Sequence, residues 1–249
     1  MSPLQALAVL AAGMVAGAVN TIVGSGSLVT FPTLLAVGYP PVLANVSNSV
    51  GLSPGSIAGA VGYRRELRGQ RRRSVAFGIC SALGAVTGAI LLLRLPGKVF
   101  ETVVPVLILV ACVLIALQPR LKRGPGSGAP SRKRVILGLL GVFATGVYGG
   151  YFGAAQGVIL VALLGMIVED SLQRINALKN VLAAIVNGVA GILFIIVTDV
   201  AWTAAALIAV GAIIGAFAGA RLGRRIPDAV LRWTIVVVGG LVGVILLLR

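Results

Sequence analysis

The sequence contains no histidine, and its two cysteines, Cys80 and Cys112, stand apart in apolar runs. Zinc and haem sites are built from histidine and closely spaced cysteine, so neither has a ligand set here. The same absence leaves Ser25, in the stretch GSGS, without a histidine that could activate it as a nucleophile. No GxxxxGK[ST] phosphate-binding loop occurs. We therefore expect no metal, no cofactor and no enzymatic activity, and a Ser25–Lys179 dyad is the one catalytic alternative.

Acidic residues are also scarce, at 6 against 21 lysines and arginines. All of them lie in loops or at the ends of apolar runs: Glu66, Glu101, Glu169, Asp170, Asp199 and Asp228. A proton relay of buried Asp, Glu or His therefore lacks its components. The net charge of +15 comes largely from short basic loops, which orient a membrane protein. We do not expect nucleic acid as a partner, because no basic soluble face is long enough to bind it.

Apolar residues dominate what remains, with 58% hydrophobic and only 11% charged residues. Soluble domains carry about 25% charged residues, so this composition predicts an all-α, polytopic protein of the lipid bilayer. The pattern favours about eight to ten hydrophobic segments, on the basis of their length. The apolar runs cover residues 4–23, 27–38, 41–63, 74–95 and 99–118, followed by 135–153, 156–168, 172–198, 202–222 and 229–248.

These runs form two similar halves, residues 1–118 and 135–249, joined by a basic linker rich in Gly and Pro at residues 119–134. We place this linker and the basic loops Arg64–Arg73 and Arg221–Asp228 in the cytoplasm. Each half then crosses the membrane an odd number of times, which predicts two inverted-topology repeats, a construction frequent in secondary transporters. We expect a bacterial inner-membrane protein with both termini external.

The second run of each half is too short for an upright span and follows a flexible, uncharged stretch. We call these stretches the first elbow, Gly24, Ser25, Gly26 and Ser27, and the second elbow, residues 153–157 with Gly153 and Gln156. A broken or re-entrant helix pair at such a point exposes free N–H donors and partial positive charge, which suit an anion. Matched interruptions in two halves indicate a transporter binding site, whereas a single one often serves only tight helix packing.

The third run of each half begins with amide side chains, which are Asn45 and Asn48 in the first half and Asn176 and Asn180 in the second. Lys179 aligns with Asn48 and lies on the order of 10 Å along its helix from the membrane surface. A charge at that depth indicates contact with the substrate, and snorkelling to the headgroups is the alternative. We expect these residues to line a polar cavity between the two elbows.

The stretch AGAVNTIVGSGSLVTFPTLLAVGYPPVLANVSNSVGLSPGSIAGAVGYRREL resembles the sulfite exporter TauE/SafE family, also called the toluene sulfonate uptake permeases. The matching features are Gly24, Gly26, Pro32 and the Asn45/Asn48 cluster. A looser second copy comprises GVYGGYFGAAQGVILVALLG and RINALKN. The resemblance implies a duplicated transporter of sulfur-containing anions such as sulfite, thiosulfate or sulfonates.

The sequence therefore predicts a secondary transporter that moves a small anion by alternating access. The class of anion, a sulfur oxyanion or organosulfonate, comes from the resemblance. A passive anion channel and a non-transporting membrane scaffold are the alternatives, and a homo-oligomer is left open.

Overall fold

The computed structural model describes residues 1–121, 132–168 and 170–222, together with positions 233, 236–237, 240–241, 243–245 and 247–248. Every regular element in these ranges is a helix. The helices are α1 (Pro3–Ile22), α2 (Ser27–Val37), α3 (Pro41–Gly62), α4 (Arg71–Arg94), α5 (Gly97–Leu121), α6 (Arg132–Tyr151), α7 (Gln156–Ile167), α8 (Leu172–Val197) and α9 (Trp202–Leu222). The predicted run at 229–248 lies largely outside the described residues.

Five of the described helices, α1, α4, α5, α8 and α9, are long and apolar enough to cross a membrane. Three shorter apolar stretches are α2, residues 135–151 of α6, and α7. The α3 helix has 22 residues, which is long enough to span, but it carries the polar cluster that begins at Asn45. This architecture confirms the prediction of an all-helical, multi-pass membrane protein.

Both elbows interrupt the helices through backbone conformations that a continuous helix does not contain. Gly24 has φ = +91° and Gly153 has φ = +76°, in the left-handed region that glycine adopts without a steric penalty. Ala155 also has positive φ, at +58°, although it carries a Cβ atom. This conformation costs an alanine on the order of 1 kcal/mol, so the surrounding contacts must hold it in place.

Small residues allow the helices to pack closely, as is typical inside membranes. Gly13 and Gly17 of α1 lie against the backbone of α9, and Gly84 and Gly88 of α4 lie against the backbone of α6. A Cβ atom at any of these glycines would overlap a neighbouring backbone atom. The glycine-rich composition therefore serves helix packing at these positions and chain reversal at the elbows.

The helix contacts pair the two halves of the chain extensively. The α1 helix packs on α9, α4 packs on α6, and the third helices of the two halves, α3 and α8, pack on each other. In addition, α3 contacts α9 and α8 contacts α4. Within the halves, α1 contacts α2 and α3, and α6 contacts α7 and α8. Each helix of the first half can be exchanged with its counterpart in the second: α1 with α6, α2 with α7, α3 with α8, and α4 with α9. After this exchange, every contact named above becomes another contact of the same set.

Different side chains join the halves near the two ends of α4. Near its start, Arg73 contacts Asp170 at 3.4 Å, and Asp170 also contacts Arg174 at 2.7 Å. Beyond its end, Phe100 packs against Phe31 of the first half and Phe152 of the second, with ring centroids 6.3 and 5.9 Å away. The halves are therefore joined by one ion pair, Arg73 to Asp170, and by the packing of Phe152 on Phe31 and Phe100.

Candidate functional site

The two elbows are in direct backbone contact. The N–H of Gly157 donates a hydrogen bond to the carbonyl oxygen of Gly24, with N and O 3.0 Å apart. A Cβ atom placed on either glycine would overlap the Cα atom of the other. The sequence predicts a polar cavity between the elbows, whereas the structure brings the two backbones into contact. Elbows that are far apart in sequence thus form one site.

The helix starts at both elbows carry buried polar atoms without partners. The N-cap residues of α2 and α7, Gly26 and Ala155, have no side chain that accepts a hydrogen bond from the N–H groups of the first turn. The hydroxyl of Ser25 is fully buried, and Nε2 of Gln156 is also buried; neither has a hydrogen-bond partner among the described residues. An unpaired buried donor costs about 1–3 kcal/mol, so these two groups are suited to a ligand that would accept their hydrogen bonds.

The fifth residue of each third helix reaches across to the opposite half. Nδ2 of Asn45 in α3 donates to the carbonyl oxygen of Tyr151, at the end of α6, over 2.9 Å. Nδ2 of Asn176 in α8 donates to the carbonyl oxygen of Thr21, near the end of α1, over 3.2 Å. The Oδ1 atoms of both asparagines are buried and have no partner within the described ranges. In each half, the asparagine of the third helix therefore donates to a carbonyl oxygen near the end of the first helix of the other half.

The eighth residues of the same helices, Asn48 and Lys179, make different contacts. In the first half, Asn48 Oδ1 accepts a hydrogen bond from the hydroxyl of Thr30, and its Nδ2 donates to Ser27 Oγ over 3.1 Å. In the second half, Lys179 Nζ donates to the carbonyl oxygens of Asn20 and Thr21, over 2.8 and 3.1 Å. Asn48 therefore holds the start of α2, whereas Lys179 holds the end of α1.

Lys179 has 0% of its surface exposed, and its aliphatic stem lies beside Gly157 of the second elbow. The snorkelling alternative is therefore wrong for Lys179. In the described part of the chain, no carboxylate lies within ion-pair distance of its Nζ. By contrast, Arg174 keeps about a third of its side chain exposed and pairs with Asp170. A buried cation balanced only by neutral groups is costly, and this marks Lys179 as the central residue of the site.

The remaining residues predicted for the site lie around this contact. Asn180 Nδ2 donates to Thr21 O over 3.2 Å, next to Lys179. Gly26 packs closely on the carbonyl oxygen of Ala16 in α1. Gly153 turns the chain at the start of the second elbow. The structure thus gathers the predicted residues around the two elbows, with Asn48 on the α2 side and Lys179 on the α1 side.

A cavity of about 680 Å³ lies near the site, between the end of α2 and the start of α5. Phe31, Tyr39, Glu101 and Thr102 are among the residues that line it. The ring of Phe31 packs edge-on against Phe152, with centroids 5.2 Å apart, and Phe152 directly precedes the second elbow. The contact between Phe31 and Phe152 therefore lies between this cavity and the elbow contact.

Sequence reasoning missed the backbone carbonyls of Asn20 and Thr21 and the hydroxyl of Thr30 as parts of the site. The end of α1 gave a usable signal, because the last carbonyl groups of a helix have no partners inside it. A broken helix thus exposes acceptors at its C-terminal end as well as donors at the N-terminal end of the helix that follows. The predicted site includes the N–H donors that follow each break, but not the carbonyl acceptors that precede it.

The site offers hydrogen-bond donors and one cationic group, but no cluster of metal ligands. Among the described residues, no group of three or more His, Cys, Asp or Glu side chains is placed to hold a metal ion. A buried donor-rich site between broken helices, in a bundle that crosses a membrane, defines a class of membrane transporter.

The chain belongs to the sulfite exporter TauE/SafE family, whose model matches residues 9–246. It is similar to "Probable membrane transporter protein YfcA" of Escherichia coli, with 27% identity over 252 residues that cover 99% of this chain and 91% of that protein. It is also similar to a "Probable membrane transporter protein" of Haemophilus influenzae, with 27% identity over 84% of this chain and 82% of that protein. No solved structure gives a significant match.

Proposed function

We propose that this membrane transporter is a secondary transporter of a small anion, of the sulfur oxyanion or organosulfonate class, and that it works by alternating access. The observation that carries the proposal is Lys179, a fully buried lysine with no described carboxylate partner, beside the contact between the elbows. An anion at this contact would balance the charge. The name of the family and the names of its relatives support transport.

The donors around the elbows favour an anion with several oxygen atoms. An ammonium group has three N–H donors, and two of those of Lys179 are directed to Asn20 and Thr21. The third can bind an oxyanion, together with the unpaired donors of Ser25 and Gln156. The starts of α2 and α7 add partial positive charge, and charge-assisted hydrogen bonds are roughly twice as strong as neutral ones.

Two inverted repeats, residues 1–118 and 135–249, supply the framework of the proposed mechanism. The set of helix contacts is unchanged when the halves are exchanged, and Asn45 and Asn176 make reciprocal contacts, which supports this duplication. In this arrangement the linker 119–134 is cytoplasmic and both termini are external. The α1–α2 pair then enters from outside and the α6–α7 pair from the cytoplasm of a bacterial inner membrane.

Alternating access requires the elbows to separate and close again around the substrate. The hydrogen bond between Gly157 and Gly24 closes the site in the present conformation. Separating the elbows would break this bond, and it would also require changes in the other hydrogen bonds between the halves, such as Asn45 to Tyr151 and Asn176 to Thr21. The anion would then replace the contact between the two backbones with hydrogen bonds from both repeats.

The test is uptake of radiolabelled sulfite, thiosulfate and an alkyl sulfonate into proteoliposomes. Lys179→Ala should lower uptake by about tenfold or more, because one charge-assisted hydrogen bond is worth about 1.5–3 kcal/mol. Lys179→Gln retains a donor for the α1 carbonyls and removes only the charge, so it separates anion binding from helix packing. Arg174→Ala, on the same helix but partly exposed, is the matched control and should retain uptake.

The same assay distinguishes the alternatives. A transporter gives uptake that saturates with anion concentration, whereas a channel gives flux that continues to rise. A non-transporting scaffold gives no flux above empty vesicles. If Lys179→Ala and Lys179→Gln both transport at the wild-type rate, the proposed site is wrong.

A further inference from the structure

The C-terminal end of α1 presents backbone carbonyl oxygens to three side chains of α8. Nδ2 of Asn176, Nζ of Lys179 and Nδ2 of Asn180 all donate to the carbonyl oxygen of Thr21, over 3.1–3.2 Å. Lys179 Nζ also donates to Asn20 O over 2.8 Å. All three α8 side chains are buried. The carbonyl oxygens at the C-terminal end of α1 therefore receive hydrogen bonds from side chains of α8 in the interior of the bundle.

Carbonyl oxygens at the end of a broken membrane helix form the kind of site that binds a coupling Na⁺ in secondary transporters. Hard cations such as Na⁺ prefer oxygen ligands, and carbonyl and amide oxygens serve this purpose. Here Asn20 O and Thr21 O supply two such oxygens. The ammonium of Lys179 lies where a cation would bind these carbonyls.

We propose that Lys179 is a built-in cation, whose ammonium occupies a carbonyl site that would otherwise bind Na⁺, so that transport by this protein does not require Na⁺. This proposal rests on the proposed function, because it specifies the coupling of that transport. It explains why a fully buried lysine needs no carboxylate partner. Its charge is balanced on one side by the carbonyl end of α1, and the remaining donor is free for the transported anion.

The end of α6 corresponds to the end of α1 in the other half of the chain, but none of the lysines that the structure describes binds its carbonyl groups. At the end of α6, the carbonyl oxygen of Tyr151 receives the amide of Asn45, as Thr21 receives that of Asn176. The residue that corresponds to Lys179 is Asn48, which bonds to Ser27 and Thr30 instead. A lysine is thus present at only one of two otherwise similar helix ends.

The proposal predicts that removing the lysine creates a Na⁺ site. Thermal unfolding is measured for the purified full-length protein in choline chloride and in increasing NaCl at constant ionic strength, without a transported anion. The wild type should unfold at the same temperature in both salts. Lys179→Ala should unfold at a lower temperature in choline, and Na⁺ should raise that temperature to a plateau, because a ligand stabilises the folded state that binds it.

Asn187→Ala is the matched control. It removes a partly buried hydrogen bond from the same helix, to Ser56 Oγ over 2.9 Å, but does not touch the α1 carbonyls. Its unfolding temperature should fall in both salts without any specific response to Na⁺. Binding of ²²Na⁺ to Lys179→Ala, and not to the wild type or to Asn187→Ala, is the direct readout of the new site.

Two results would overturn this inference and leave anion transport standing. One is wild-type anion uptake that falls in choline and is restored by Na⁺. The other is a folded Lys179→Ala that neither binds ²²Na⁺ nor responds to it. If Lys179→Ala does not fold, Lys179→Met is assayed for Na⁺ response, because Met keeps an aliphatic stem beside Gly157 but donates no hydrogen bond to the α1 carbonyls, and the wild-type uptake measurement still decides. If the wild type shows no anion uptake at all, the proposed function fails, and the ²²Na⁺ measurement tests the carbonyl site separately.

Discussion

Replacing Gly157 by alanine tests the contact between the elbows directly. The added methyl group would overlap the Cα atom of Gly24 and lie only 2.8 Å from Cδ of Lys179. Such overpacking costs about 1–3 kcal/mol, and losing the hydrogen bond to Gly24 costs about 1 kcal/mol more. The higher helix propensity of alanine offsets about 1 kcal/mol. The net loss in the free energy of unfolding should therefore be about 1–3 kcal/mol, the balance of these three terms.

Gly165→Ala, in the same helix, is the control for this measurement, because a Cβ atom there has no neighbour within 4 Å. It should leave stability unchanged or raise it by up to about 1 kcal/mol. Unfolding in mixed micelles gives the stabilities, and anion uptake into proteoliposomes gives the activities. Gly157→Ala should also lower uptake, since the elbows could no longer close. Equal stability and equal uptake for the two variants would refute the argument that this contact is structurally and functionally required.

Two further substitutions test the aromatic and ionic contacts that join the halves. Phe31→Ala removes the ring that packs on Phe152 and Phe100, and it should lower the free energy of unfolding by about 3–5 kcal/mol, the usual cost for a buried Phe. A loss below about 1 kcal/mol would show that the aromatic cluster does not hold the halves together. Asp170→Asn removes both ion pairs with Arg73 and Arg174, which are partly exposed, so it should cost about 1 kcal/mol or less. This cost, measured by unfolding, should decrease as salt is added, and a salt-independent loss would contradict an electrostatic cause.

The positions of the helices follow from the sequence to within a few residues. The run predicted at 27–38 is α2, Ser27–Val37, and the run at 156–168 is α7, Gln156–Ile167. Such agreement is expected, because long apolar runs ended by charge, Gly or Pro carry local information about where a helix starts and stops. The elbows were predictable for the same reason. Glycine clusters without charge inside apolar segments indicate a break that stays within the membrane.

The contacts between the halves could not be predicted in the same way. Nothing in the local sequence indicates that Gly24 and Gly157 touch, because glycine permits both an open cavity and a close backbone contact. The end of α1 indicates free carbonyl acceptors, but nothing in the local sequence indicates that Lys179 is the side chain that binds those of Asn20 and Thr21. Backbone groups become ligands only through the three-dimensional course of the chain. A site made largely of broken helix ends is therefore only partly visible in a sequence.

Lys179 is fully buried within the protein, and this burial gives a physical reason for the two halves to differ at this position. A duplicated chain with identical halves would place the same side chain at both eighth positions, and two buried lysines so close to the elbows would repel each other. Instead, the eighth position is an asparagine in α3 and a lysine in α8. Asn48 forms hydrogen bonds with α2, and Lys179 forms hydrogen bonds with the end of α1. In the proposed function, a single ammonium at this contact would bind the anion. The difference between Asn48 and Lys179 leaves only one of these two positions with a lysine beside the elbows.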